Sequence, residues 1–143
     1  MVGTLWMEKA SDISEEYYAS FTLDRSAKAY LGMLSAQGGV EIEAVAESDP
    51  DAIAKIHVDP VVGLTEAACR TWVEQAKLNP AATEGAIDIL MKLYEAYIDA
   101  DADLVEINPL ILTDDGRVHA LDAKVTLDDN RSEEHTSELP VTL

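Results

Sequence analysis

The stretch Glu106-Ile-Asn-Pro-Leu-Ile-Leu-Thr-Asp-Asp-Gly-Arg-Val-His-Ala-Leu-Asp-Ala-Lys124 decides the fold. Its centre, Asp114-Asp-Gly116, predicts a hairpin turn because aspartate and glycine tolerate the backbone conformations that tight turns require. The apolar residues before the turn predict a strand over 104–108, stopped by the proline that follows, and then an extended segment over 110–113. Residues 117–125 are predicted to be the antiparallel partner strand.

The predicted hairpin brings two oxygen-bearing side chains together. Asn108 lies six residues before Asp114, and Asp122 lies six residues after Gly116. Equal arms place the two side chains opposite each other on one face of the sheet. An amide oxygen beside a carboxylate suits Mg²⁺, which takes one or two protein oxygens plus phosphate oxygens and water. Such pairs on hairpins are also common as solvated or hydrogen-bonded structural residues, and composition alone leaves that interpretation open.

Upstream of the hairpin the pattern changes from strands to helices. Strands are predicted over residues 2–10, 17–24 and 29–35, with turns at 11–16 and 25–28 and a short helix within 40–48. Residues 53–58 are predicted to begin helical or turned and to finish extended, and two helices follow, from residue 65 and over 80–100. This order of strands, helices and a hairpin indicates an α+β fold with a mainly antiparallel sheet.

Both long helices carry start signals and apolar faces. Thr65 is a suitable N-cap, and Asn79 can cap the second helix with Pro80 in the first helical position. The residues expected to face the core are Ala68, Trp72, Val73 and Ala76 in the first helix and Ile87, Leu90, Met91, Tyr94 and Ile98 in the second. Their helical spacing indicates packing stripes rather than a cofactor-binding site.

Composition narrows the class of protein. The 143 residues are 48% hydrophobic and carry a formal net charge of −18, so a globular chain is expected, with neither nucleic acid nor an anionic membrane as partner. The single cysteine, Cys69, cannot form an intrachain disulfide, which fits a reducing compartment. No signal-peptide pattern and no membrane-length apolar run is found, and a cytoplasmic protein is expected.

The last residues differ from the rest of the chain. Residues 131–139 resemble the translation of a common sequencing-library adapter, and residues 131–143 are interpreted as a non-native tail. A natural polar tail is the alternative. The expected organisation is therefore one partial domain over residues 1–130, followed by this tail.

Several separated motifs resemble one family of enzymes. Besides Glu106-Ile-Asn-Pro-Leu110 and Ala120-Leu-Asp-Ala-Lys124, they include Ser20-Phe-Thr-Leu-Asp-Arg25, Ser35-Ala-Gln-Gly-Gly-Val-Glu-Ile-Glu43 and the segment from Glu8 to Tyr18. In this order they are similar to the ATP-grasp part of the β subunit of ADP-forming succinate–CoA ligases. The resemblance runs from about residue 4 to residue 130. It implies an ATP-grasp-type α+β fold, present here as a partial domain.

The resemblance also implies roles for residues near a nucleotide. Glu8 matches a residue at the adenine–ribose edge, Ser11 a backbone position beside the base, and Glu16 a residue near the nucleotide. Glu8 could instead be a solvated charge on a strand edge. The role given to Glu16 could belong to the adjacent Glu15.

The hairpin residues match the magnesium end of the same site. Asn108 and Asp122 match the residues that bind Mg²⁺, and Glu106 matches a glutamate that helps to place a phosphohistidine of the partner subunit. Glu106 is therefore the candidate catalytic residue. Its alternative is a simple ion pair with a nearby cation such as Lys124.

The reaction implied is succinate plus CoA plus ATP giving succinyl-CoA, ADP and phosphate, within the tricarboxylic acid cycle. The cofactor is Mg²⁺ with ATP or ADP, GTP is not excluded, and the α subunit is the expected partner. A malate–CoA ligase, a non-catalytic binding module and a generic carboxylate–amine ligase of the same fold are the alternatives. The family's phosphate-clamping lysine and its C-terminal ligase domain match no part of the chain, so the chain alone is expected to be inactive.

Overall fold

A computed structural model of the chain describes residues 12–127 and the backbone of residues 136–139. The strands are β1 (Ile13–Asp24), β2 (Ala29–Ser35), β3 (Ile53–Val58), β4 (Ala102–Thr113), β5 (Val118–Ala120), β6 (Ala123–Leu127) and β7 (Thr136–Leu139). The helices are α1 (Ile42–Ser48), α2 (Glu66–Gln75) and α3 (Thr83–Ala100). The predicted strand over 2–10, with Glu8, and the nucleotide residue Ser11 lie outside the described residues.

The strands form one sheet in the order β3–β2–β1–β4–β6–β7. The short strand β5 pairs with the C-terminal part of β4, and β6 pairs with the N-terminal part of the same strand. Every neighbouring pair is antiparallel. The predicted α+β class with a mainly antiparallel sheet is confirmed. β1 and β4 lie at its centre, so the residues that they carry are held on both sides.

The two faces of the sheet bury different sets of side chains. Tyr17, Ala19 and Phe21 of β1 belong to the main core, to which α2 and α3 contribute Trp72 and Leu90 among others. The intervening Tyr18 belongs to a smaller cluster with Ile42 and Val45 of α1. This alternation follows from the two-residue period of a strand. It places α1 on the face opposite the two long helices.

Helix starts and the first hairpin follow the predictions. The Thr65 hydroxyl accepts a hydrogen bond from the Ala68 amide at 3.2 Å, and the Asn79 side chain caps the 3₁₀ turn Pro80–Ala82 that leads into α3. Residues 25–28 form the turn between β1 and β2. Within residues 12–127, no helix combines the length and the apolarity that crossing a membrane requires.

The predicted turn over 11–16 is wrong for its described part. Residues 13–16 belong to β1, where Glu16 pairs with Ile111 and Glu15 with Leu112 of β4. The ladder hydrogen bonds to β4 outweigh the local turn preference of the polar side chains. Residues 53–58 are extended throughout, because the turned part precedes them as a separate 3₁₀ turn at Pro50–Ala52.

The prediction that Pro109 stops its strand is also wrong. β4 runs through it, and the pairing of β4 with β1 shifts between Tyr17 and Ala19, opposite the Asn108-Pro109 step. An irregularity there removes the need for the amide hydrogen that proline lacks. The predicted partner strand is split instead, with residues 121–122 between β5 and β6.

The apolar stripe of α3 is wider than predicted. Ile87 and Leu90 are buried, but Met91 and Tyr94 are half-buried, and Ile98 is 40% exposed. The other buried residues are Ala86, Ile89, Leu93 and Tyr97. The helix contacts both α2 and the sheet, so its buried face spans two contact directions rather than one.

Candidate functional site

A pocket of about 420 Å³ lies on the α1 face of the sheet. It is lined by Glu41, Ile42, Glu43, Glu106, Asn108, Asp122 and Lys124. The first three residues come from the start of α1, and the others come from β4 and its partner segment. The pocket therefore collects three of the six residues assigned from the sequence.

Asn108 and Asp122 lie opposite each other, as the hairpin predicts. The Asn108 amide donates to the Asp122 carbonyl at 3.2 Å, between the register pairs Ile107–Ala123 and Leu110–Ala120. Both residues line the same pocket. Asp122 is exposed and lies outside any regular strand, so its carboxylate can reach a ligand from the edge of the hairpin.

The side chain of Asn108 also holds the loop between β2 and α1. Its Oδ1 accepts from the Gly39 amide at 2.7 Å, and its Nδ2 donates to the Val40 carbonyl at 2.9 Å. These two bonds fix the orientation of the side-chain amide, with Oδ1 toward the Gly39 amide and Nδ2 toward the Val40 carbonyl. A carbonyl oxygen has two lone pairs, so Oδ1 can still accept one further bond or bind a cation.

Two glycines allow the same loop to pack closely against β1. The Gly38 amide donates to the Glu16 carbonyl at 2.9 Å, and a Cβ on Gly38 would lie 2.2 Å from backbone atoms of Tyr17. Gly39 has a φ of +75°, and a Cβ there would meet the Glu16 carboxylate at 2.1 Å. The start of α1 is thereby held against both central strands.

Glu106 is bound by a tyrosine rather than by a cation. The Tyr18 hydroxyl donates to Glu106 Oε2 at 2.8 Å. Lys124 is the register partner of Glu106, but no ion pair joins them among the described residues. The alternative in which Glu106 simply pairs with Lys124 is therefore not what the structure contains.

The acids of β1 separate onto the two faces. Glu16 lies beside Gly39 on the loop, outside the lining of the pocket. Glu15 accepts hydrogen bonds from Tyr17 at 2.7 Å and Asn79 at 3.2 Å, on the face of the long helices. Of the two, Glu16 is thus the one directed toward the candidate site.

Sequence reasoning missed Tyr18 and the two-glycine loop as parts of this site. The alternation that buries Tyr17 on one face and turns Tyr18 to the other is the signal that could have found the tyrosine. The contact of Asn108 with the loop joins residues 69 positions apart, and no local pattern reports it.

The pocket is acidic, with four carboxylates and one lysine among its lining residues. Within the described part of the chain, no three His, Cys, Asp or Glu side chains are grouped so as to hold a metal ion. A divalent cation bound at Asn108 and Asp122 would have to complete its coordination with oxygens of a ligand or of water. The lining contains oxygen ligands and a cation but no cysteine, serine or histidine nucleophile.

The chain matches one protein family and is similar to solved structures of larger enzymes. Residues 1–112 match the family model described as the ATP-grasp domain. The chain is similar to the ATP citrate lyase of Methanothrix soehngenii solved with citrate and coenzyme A, at 24% identity and a TM-score of 0.59, over 85% of this chain and 26% of that one. It is also similar to a variant ATP citrate lyase of Methanosaeta concilii solved with (3S)-citryl-CoA, at 21% identity and a TM-score of 0.55, over 85% and 25%. The chain spans about a quarter of these structures.

Proposed function

Because the chain belongs to the ATP-grasp domain family, we propose that it is the nucleotide- and magnesium-binding part of the β subunit of an ADP-forming succinate–CoA ligase. The motifs shared with that family over residues 4–130 support the proposal. The observation that carries it is the placement of Asn108 opposite Asp122, both facing one acidic pocket. The complete enzyme would convert succinate, CoA and ATP into succinyl-CoA, ADP and phosphate.

The residues present fit a magnesium ion that arrives with a nucleotide. Asn108 and Asp122 would supply one or two protein oxygens, and the phosphates and water would supply the others. When bound, the ion offsets the negative charge of the phosphates during phosphoryl transfer. The carboxylate of Asp122 and the neutral amide of Asn108 bring one negative charge, so the ion keeps a net positive charge for this task.

The role proposed for this chain is positioning. Glu16 and, outside the described residues, Glu8 and Ser11 would bind the nucleoside end. Glu106 would accept a hydrogen bond from the imidazole of a phosphohistidine on the α subunit, which brings the phosphoryl group to the nucleotide. Holding the two reactants in line lowers the entropy cost of transfer. The described pocket lining contributes no cysteine, serine or histidine nucleophile.

The acid substrate would bind outside this chain, so residues elsewhere in the complete enzyme would select it. Malate is the alternative substrate considered from the sequence. Citrate is a further candidate, because the similar solved structures are ATP citrate lyases. Assay of the full-length enzyme with succinate, malate and citrate separates these substrates. The formation of citryl-CoA or malyl-CoA at a rate equal to or above that of succinyl-CoA would change the name of the enzyme but not the role of this domain.

The double substitution Asn108→Ala and Asp122→Ala in the complete enzyme tests the metal site. We expect ADP–ATP exchange to be lost at all magnesium concentrations, because both protein oxygens are removed. Asn108→Ala also frees the Gly39–Val40 loop, so Asp122→Asn, which removes only the charge, is the cleaner single variant. It should raise the magnesium concentration for half-maximal exchange at least about tenfold.

A matched control removes another amide–carboxylate pair. Gln37 Nε2 donates to Asp49 Oδ2 at 3.2 Å on the surface, and neither residue lines the pocket. Gln37→Ala with Asp49→Ala should leave the magnesium dependence unchanged. Exchange that survives the Asn108 and Asp122 substitutions with its magnesium dependence intact would remove the metal assignment.

A further inference from the structure

The hydroxyl of Tyr18 is the fixed hydrogen-bond donor to Glu106 in the described site. Tyr18 is 2% exposed, and its ring packs with Ile42 and Val45 of α1. Its oxygen lies 2.8 Å from Glu106 Oε2. The other carboxylate oxygen, Oε1, has no hydrogen-bond partner among the described residues. The tyrosine therefore occupies one oxygen of the carboxylate, and the other is free to accept a hydrogen bond from a ligand in the pocket that Glu106 lines.

Lys124 is a second group that could bind the Glu106 carboxylate if the Tyr18 hydroxyl were absent. Lys124 lies directly across from it on β6, at a register position where side chains are about 5 Å apart at Cβ. The hydroxyl of Ser20, the register partner of Glu106 on β1, is fully buried and completes no hydrogen bond of ordinary geometry. Among the described residues, the Tyr18 hydroxyl is the group that hydrogen-bonds the Glu106 carboxylate, and no ion pair joins that carboxylate to Lys124.

The phenol is also suited to a permanent donor role. Burial raises the pKa of Tyr18 above its ordinary value, the nearby Ser20 hydroxyl lowers it, and the hydrogen bond to Glu106 raises it again. The net direction is upward, so the phenol keeps its proton throughout the physiological pH range. A protonated phenol beside a carboxylate donates to it and cannot exchange roles with it.

We propose that Tyr18 is the positioning residue of Glu106, holding one carboxylate oxygen so that the other accepts the N–H of an incoming imidazole. This inference rests on the proposed function, in which Glu106 meets the phosphohistidine of the partner subunit. Tyr18 would act only through Glu106 and would not contact the nucleotide.

Tyr18→Phe in the complete enzyme tests this assignment. The ring and its packing remain, and only the hydroxyl is lost. We expect kcat for ADP–ATP exchange to fall roughly tenfold, the loss expected for one hydrogen bond to a charged group, with KM for Mg·ATP unchanged within about twofold. In the background of Glu106→Gln, the same substitution should cause no further fall, because its effect passes through the carboxylate.

The neighbouring Tyr17 provides the matched control. It is equally buried and donates to Glu15 Oε1 at 2.7 Å, but on the opposite face of the sheet. Tyr17→Phe should leave both kcat and KM for exchange unchanged within about twofold. Thermal unfolding of both variants, measured in parallel, shows whether each is folded at the assay temperature.

The outcomes separate the two proposals. A wild-type enzyme without ADP–ATP exchange overturns the proposed function and the Tyr18 assignment with it. Exchange in the wild type, with Tyr18→Phe no slower than Tyr17→Phe, overturns the Tyr18 assignment alone. An equal further loss when Tyr18→Phe is added to Glu106→Gln also overturns it, since the hydroxyl would then act independently of the carboxylate.

Discussion

Asn108 combines two tasks in one side chain. Its side-chain amide bridges the Gly39 amide and the Val40 carbonyl, and the same residue lines the pocket in which a cation is proposed. A metal ligand held by other hydrogen bonds is already oriented before the ion arrives, which favours affinity. The backbone of Gly39 and Val40 is therefore part of the proposed metal site, although neither residue is assigned as a ligand.

The glycines of that loop are needed for different reasons, and alanine should show the difference. Gly38→Ala places a Cβ against the rigid backbone of Tyr17, so we expect a loss of roughly 1–3 kcal/mol in the free energy of unfolding. Gly39→Ala meets only the movable end of Glu16 but has a positive φ, and should cost about 1 kcal/mol. Denaturant unfolding of the chain, followed by circular dichroism, measures both.

Gly116 is the control for backbone strain alone. Its φ is +89°, and a Cβ there would meet nothing within 4 Å. Gly116→Ala should therefore match Gly39→Ala and remain milder than Gly38→Ala. If Gly38→Ala proved the mildest of the three, the close approach of the loop to β1 would be contradicted.

At the scale of elements, the arms of the Asp114-Asp-Gly116 hairpin were predictable because turn chemistry and arm length determine which residues face each other. This accounts for the correct pairing of Asn108 with Asp122. The extension of β1 back to Ile13 was not predictable, because its partner residues on β4 are about 100 positions away along the chain. Local propensity describes Ser11 to Glu16 as a turn, whereas the free energy of pairing belongs to a contact that the local sequence does not contain.

The two long helices are joined by an ion-pair network that predicts a pH dependence. Arg70 on α2 bonds Glu84 at the start of α3 at 2.6 Å and Glu66 at 3.2 Å. The hydrogen bond from Arg70 lowers the pKa of Glu84 below its ordinary value. The pair stabilises the fold above the unfolded-state pKa of about 4.3, and this contribution disappears as the pH falls through the lower folded-state pKa.

Glu84→Gln should therefore lower the unfolding midpoint at pH 6 and have a diminishing effect as the pH approaches 3. Denaturant titrations of wild type and variant across this range measure the difference. Glu95→Gln, an exposed acid of the same helix without an ion pair among the described residues, is the control and should show a much smaller difference at pH 6. A Glu84→Gln difference that stays constant down to pH 3 would contradict the lowered pKa.

At the scale of the whole molecule, charge limits what the domain can do alone. The chain has 28 acidic residues against 10 lysines and arginines. The pocket repeats this imbalance, with Lys124 as its one lysine or arginine, so three nucleotide phosphates would meet repulsion without a divalent ion and further cations. ATP binding by the proposed site therefore depends on magnesium and on positive groups elsewhere in the complete subunit.

The 143-residue chain, purified without other subunits, should form no succinyl-CoA from succinate, CoA and ATP. The chain spans about a quarter of the solved structures that share its fold, and the proposed acid site and phosphohistidine lie outside it. The described pocket supplies carboxylate and amide oxygens and one lysine, but no histidine that could carry the proposed phosphoryl group. Mass spectrometry of the reaction mixture measures the thioester, and circular dichroism establishes that the chain is folded.

The full-length subunit assembled with its partner is the positive control. Thioester formation by the folded chain alone would mean that acid activation and thioester formation both occur on these residues, and the assignment of positioning roles would have to be abandoned.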